Sequence, residues 1–132
     1  MILIDNELLD SISLKAKDNV RLRMNFNLHQ SLQEPVQRML NALEPGTVLP
    51  VHRHQNTDET YLMLRGSLNL KLYDANRTLL DTIELNPAKG KYGVSVPAGQ
   101  WHTLEILEEN TVLFELKEGP YIPFQPEDIL PE

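Results

Sequence analysis

The 132-residue sequence contains no cysteine, which excludes both a disulfide framework and a thiolate metal site. Any metal must be held by histidine and carboxylate. Basic residues are also scarce, 12 against 19 acidic ones, for a formal net charge of −7 and a pI near 5.0. That balance leaves no electrostatic footprint for nucleic acid or for an anionic membrane surface. No apolar run approaches the roughly 20 residues needed to span a bilayer. The opening Met1-Ile-Leu-Ile-Asp-Asn-Glu7 lacks the basic segment, apolar stretch and cleavage site of a secretory leader. The expectation is a cytoplasmic protein with neither nucleic acid nor membrane as partner. Internal repeats and low-complexity segments are absent too. What is present, 41% hydrophobic and 23% charged residues, is the balance of one ordinary globular domain.

Asp5 or Asn6 can cap a short helix, because Leu8, Leu9, Ile12 and Ala16 recur at helical spacing and Asp18-Asn19 ends the pattern. From Arg21 to His29 the period changes to two, with Arg, Arg, Asn, Asn and His on one face and Leu, Met, Phe and Leu on the other. Further strands are expected over 36–43, 60–65, 67–73, 78–85, 92–96, 101–107 and 111–117, separated by turns rich in Gly, Pro, Asn and Asp. Counting a strand through His52 and His54, about nine short strands predict an all-β sandwich or small barrel, such as a jelly roll. The expected organisation is a helical flank over 1–20, a β-barrel over 21–118, and a tail over 119–132 that holds four of the nine prolines and runs extended, laid over the barrel or frayed.

His52 and His54 are two residues apart, so in a strand both imidazoles project from one face, and a short turn brings Glu59 back toward them. Pro97-Ala-Gly99-Gln-Trp-His102 adds a third histidine just after a tight turn. His52, His54, Glu59 and His102 together make a three-His, one-carboxylate donor set suited to a divalent transition metal.

Gly46-x5-His52-x-His54-x4-Glu59-x6-Gly66 resembles the first motif of the cupin superfamily at every defined position, and Pro97-x-Gly99-x2-His102 resembles the heart of the second. The wider stretch from Arg21 to Gly119 resembles the WbuC family of small cupin-fold metalloproteins. That likeness is carried by Arg23-Met-Asn25-Phe-Asn27-Leu-His29, Gln37-Arg38-x2-Asn41-Ala42, His52-Arg-His54 and Lys117-Glu-Gly-Pro120. Two departures stand in the second motif: Gly90 is one residue further from Pro97 than the pattern's leading glycine, and Ile106 replaces its asparagine.

The resemblance implies a double-stranded β-helix with a short N-terminal helix. It also implies one divalent metal (Fe, Mn, Ni or Zn) on His52, His54, Glu59 and His102, a place in surface-polysaccharide or carbohydrate metabolism, and a homodimer. Four protein ligands on an octahedral ion leave open positions for a small polar ligand. Three functions remain in view: an isomerase, epimerase or lyase acting on a sugar-derived ligand, an Fe(II) dioxygenase, and a non-catalytic metal-dependent binding module. The polar strand supplies Arg23, Asn25, Asn27 and His29 as expected substrate contacts, with His29 also considered as a fifth ligand. Candidates for a catalytic role are His29, Tyr61 and Arg38. Tyr61 and Met63 share parity with Glu59 and should face inward, whereas Arg53 should pair with an acid on the outside and Trp101 should pack.

Overall fold

The computed structural model describes residues 1–132. Helix α1 spans Asn6–Asp18, and its cap is Asp5, whose side chain accepts a hydrogen bond from the Leu8 N–H at 3.0 Å. Eight strands follow: β1 Arg23–Asn27, β2 Val36–Leu43, β3 Glu59–Arg65, β4 Leu68–Tyr73, β5 Leu79–Leu85, β6 Gly93–Val96, β7 Trp101–Ile106 and β8 Thr111–Glu118. They form two antiparallel sheets, one in the order β1-β2-β8-β3-β6 and the other in the order β5-β4-β7. The molecule is therefore an all-β jelly roll with one N-terminal helix.

The main core lies between the sheets, where Leu68, Leu70 and Leu113 are completely buried with Tyr61, Met63 and Ile106. Ile106, the residue at the departure from the second motif, is thus a core position. A second cluster lies outside the larger sheet, where Leu9, Ile12 and Ala16 of α1 cover Leu40 and Ala42 of β2 and Val112 of β8. This makes β2 buried on both faces, so its sequence does not alternate cleanly. A small third cluster of Val51, Trp101 and Leu130 ties the C-terminal segment to the edge of the smaller sheet.

Several expected boundaries move. The strand expected over 21–29 is only β1: Leu22 takes a positive φ of 57°, which breaks the extended run, and the chain leaves the sheet after Asn27. The expected strand through His52 and His54 shrinks to a bridge at His52, which pairs with His102 on one side and Ile129 on the other. Between β3 and β4, Gly66 has φ +82°, and a Cβ there would lie 2.7 Å from the Thr111 Cα, so only glycine fits the turn. Gly90, displaced relative to the motif, caps a 3-10 turn over Pro87–Lys89 in the left-handed conformation, which takes up the extra residue before β6.

Candidate metal centre

The histidines and Glu59 meet where the edge of the smaller sheet faces β3. His52 and His102 are joined by a pair of backbone hydrogen bonds, N–H to carbonyl in both directions at 3.0 and 2.9 Å, and their rings lie 4.4 Å apart. Each ring is held by the same device. The His52 Nδ1–H donates to the Pro50 carbonyl and the His102 Nδ1–H to the Gln100 carbonyl, both at 2.9 Å. With Nδ1 committed to a backbone acceptor, Nε2 carries the free lone pair, the usual way an outer group orients a metal-binding imidazole. Burial, and then the neighbouring His102, lower the His52 pKa to about 3, so its imidazole is neutral at physiological pH.

Glu59 is the first residue of β3 and is 2% exposed. Its Oε1 lies 2.8 Å from His54 Nε2 and 3.3 Å from His102 Nε2. Despite this closeness no well-directed N–H···O bond reaches that oxygen, which is left as a buried acceptor without a hydrogen-bond partner. Adjacent donors on an octahedral ion with bonds of about 2.1 Å are separated by about 3 Å, so these spacings suit donors turned toward a common ion. His52, Glu59 and His102 each offer an atom within 4.8 Å of the other two. His54 stands apart from that trio and joins it through Glu59, with its ring 6.4 Å from that of His102. The chemistry of the set, imidazole nitrogen with one carboxylate, fits a divalent transition metal.

Glu59 is held as a carboxylate. Burial alone would raise its pKa, but hydrogen bonding and charge from His102 and His54, when those rings carry a proton toward it, outweigh burial and lower it. Tyr61, two residues along the same face of β3, donates its O–H to Glu59 Oε2 at 3.1 Å and lies 3.2 Å from His102 Nε2. Burial, and then the Glu59 charge, raise the Tyr61 pKa well above 10, so the phenol keeps its proton.

A cavity of about 550 Å³ opens from this cluster along the inner face of the larger sheet. Arg23 and Asn25 of the polar strand line it, as do His52, His54, Glu59 and Tyr61. Asn27 and His29, expected as substrate contacts, and Arg38, expected with His29 as a catalytic candidate, do not line it. Arg38 shares parity on β2 with Leu40 and Ala42, the residues covered by α1, and so faces away from the cavity. Asn27 sits exposed at the end of β1. His29 lies beyond the strand with its ring folded onto the backbone of Arg38, Nδ1 being 2.9 Å from the carbonyl oxygen and 3.1 Å from the N–H. Arg53 pairs with Asp128 at 3.7 Å and sits over the Trp101 ring at 4.5 Å.

Two features of the site escaped the sequence reading. Glu115 of β8 is buried against Glu59 with its pKa raised to about 8, by burial first and then by the Glu59 charge. It accepts a hydrogen bond from Asn41 at 2.8 Å and has Lys117 Nζ at 3.5 Å. The available signal was a charged residue between Phe114 and Leu116 that shares parity with the core residue Leu113. The second feature is the contact of Phe124 with the histidines, made by a tail that is laid over the barrel. Leu130 N–H bonds to the Val51 carbonyl and Arg53 N–H to the Asp128 carbonyl, and the Phe124 ring lies 4.9 Å from that of His52 and 5.1 Å from that of His54.

This fold is that of the cupins, as comparison with solved structures bears out. KdgF from a Halomonas species aligns with a TM-score of 0.58 at 14% identity, over 73% of this chain and 79% of its own. A cupin superfamily protein from Desulfitobacterium hafniense aligns with a TM-score of 0.58 at 21% identity, over 73% and 76%. A candidate sugar phosphate isomerase from Acidithiobacillus ferrooxidans aligns with a TM-score of 0.59 at 20% identity, over 74% and 59%. At such identities the likeness is one of fold. More particularly, the chain belongs to the family described as domain of unknown function DUF6016, which matches residues 4–85. No curated protein matches the sequence.

Proposed function

We propose that this protein holds one divalent transition metal on His52, His54, Glu59 and His102. We further propose that it acts on a small polar or sugar-derived molecule in the adjoining cavity, as an isomerase, epimerase or lyase of carbohydrate or surface-polysaccharide metabolism in the manner of the WbuC-like cupins. The observation that carries the metal reading is the buried Glu59 Oε1, close to two imidazole nitrogens yet without a hydrogen-bond donor. When bound, the ion supplies Lewis-acid polarisation of a carbonyl or hydroxyl oxygen. The chain's own residues do the rest. Tyr61 fixes Glu59 through its O–H, and Glu115 holds a proton at its carboxyl beside the site, where Lys117 can balance its charge when that proton leaves.

Titratable groups this near the donor set favour catalysis over a purely binding role. The fold shared with a candidate sugar phosphate isomerase supports the substrate class by analogy. The test is to incubate metal-loaded protein with sugar phosphates and uronates in deuterium oxide and follow them by proton NMR. Metal-dependent isomerisation, epimerisation, elimination or exchange at carbon supports the reading. No change in any of them, with substrate-dependent oxygen uptake by the iron-loaded protein, would favour the dioxygenase alternative. The proposal includes a homodimer through the outer face of the larger sheet, where Leu62, Leu64 and Leu116 remain partly exposed; a monomer in sedimentation equilibrium would remove that part alone.

A further inference from the structure

The chain has six arginines, and four of them are engaged. Arg38 donates to the Leu28 carbonyl, Arg53 pairs with Asp128, Arg65 binds Asp10, Ser13 and the Asn110 carbonyl, and Arg77 donates to the Pro131 carbonyl. The other two, Arg21 and Arg23, line the cavity, and neither guanidinium makes an ion pair or a hydrogen bond within the protein. Burial, and then the charge of Arg21, lower the Arg23 pKa, and Glu115 only partly offsets them. Two unpaired like charges thus line one pocket in a protein of net charge −7. Such an arrangement costs stability on its own and is relieved by an anion, for which guanidinium is the bidentate partner.

The placement also has a direction. Arg23 stands at the start of β1, three interstrand steps or about 14 Å across the sheet from β3, and the pairing register sets it six residues, about 20 Å, along the strands from the row that holds Glu59. Its own side chain covers part of that separation, and the cavity that both residues line spans the rest. Asn25 and Lys117 line the path between.

We propose that Arg21 and Arg23 form an anion-binding subsite. The molecule handled here then carries a carboxylate or phosphate that the two guanidiniums hold while its other end reaches the histidine cluster. The second half of this statement rests on the metal-centre reading above; the subsite itself does not. A neutral sugar is accordingly a poor ligand and an acidic or phosphorylated one a good one.

The direct test is the response of the arginine Nε–Hε signals in proton–nitrogen NMR spectra of the full chain, assigned by Arg21→Lys and Arg23→Lys, to inorganic phosphate and to acetate. It is run on metal-free protein and on protein loaded with zinc. The expected result is that the Arg21 and Arg23 signals shift together and saturate, in both forms, at concentrations at least tenfold below those that move the Arg77 signal. The anion that saturates first names the headgroup. Linear shifts no stronger than those of Arg77 overturn the subsite. The Arg23→Gln variant should weaken the tighter anion at least tenfold while leaving the metal content unchanged, and an unchanged affinity would count against the proposal. Saturation at the arginines without stoichiometric metal leaves the subsite standing and removes the metal centre, whereas metal without saturation does the reverse.

Discussion

Replacing Glu115 with glutamine tests the electrostatics of the site in a single comparison. The Glu115 carboxyl ionises near 4.5 in an unfolded chain and near 8 in the fold, where burial and then the Glu59 carboxylate oppose its charge. Between those pH values unfolding releases a proton, so raising the pH favours the unfolded chain. The contribution of Glu115 to stability is complete below about pH 4.5 and is lost as the pH rises through about 8. At about 1.4 kcal/mol per pH unit the full loss is on the order of 4–5 kcal/mol. Glutamine keeps the shape and can still meet Asn41 but has no proton to lose. Urea unfolding of metal-free protein at pH 5 and pH 8.5 should therefore show the two proteins close together at the lower pH, with Glu115→Gln the more stable by several kcal/mol at the higher one. Parallel pH dependences would refute the assignment of a protonated Glu115 beside an ionised Glu59.

Three further outcomes follow from the same geometry. Tyr61→Phe removes the O–H that reaches Glu59 Oε2, and should cost about 1–3 kcal/mol in denaturant unfolding and weaken zinc binding by about 10–100-fold in a competition titration. Gly66→Ala forces a side chain into a left-handed turn against Thr111, and should lower stability by more than about 1 kcal/mol in urea unfolding. Phe124→Ala uncovers His52 and His54, and should speed metal loss to a chelator in stopped-flow measurements while lowering the melting temperature only slightly, because this ring is already 40% exposed.

Much of the site could be read from the chain because its spacing is local. His52, His54 and Glu59 lie within one turn of each other along the sequence, and His102 follows a Pro-x-Gly turn that leaves little choice of direction. The apolar pattern and the turns between the runs likewise located β2–β8 to within a residue at each edge and β1 without its edges. What could not be read depends on which face of a strand is covered. Arg38 and Asn41 lie on opposite faces of β2, and only the docking of α1 on Leu40 and Ala42 makes Arg38 an outward residue and leaves Asn41 to meet Glu115. Glu115 becomes a site residue through cross-strand register, since pairing places it opposite Tyr61. Periodicity has no access to register between strands so far apart in sequence. His29 continued the alternation of β1, but the chain had already left the sheet, and a backbone contact captured its ring. Phe124 belongs to a segment without periodicity, placed by docking alone on the edge carrying His52.

The central claim is a metal held by the histidine and glutamate cluster, and elemental analysis of protein purified without added metal tests it most directly when paired with the His52→Ala/His54→Ala variant. About one equivalent of a divalent transition metal per chain in the native protein, absent from a folded variant, is the predicted result. A native protein without stoichiometric metal, or a variant that retains it, would contradict the account.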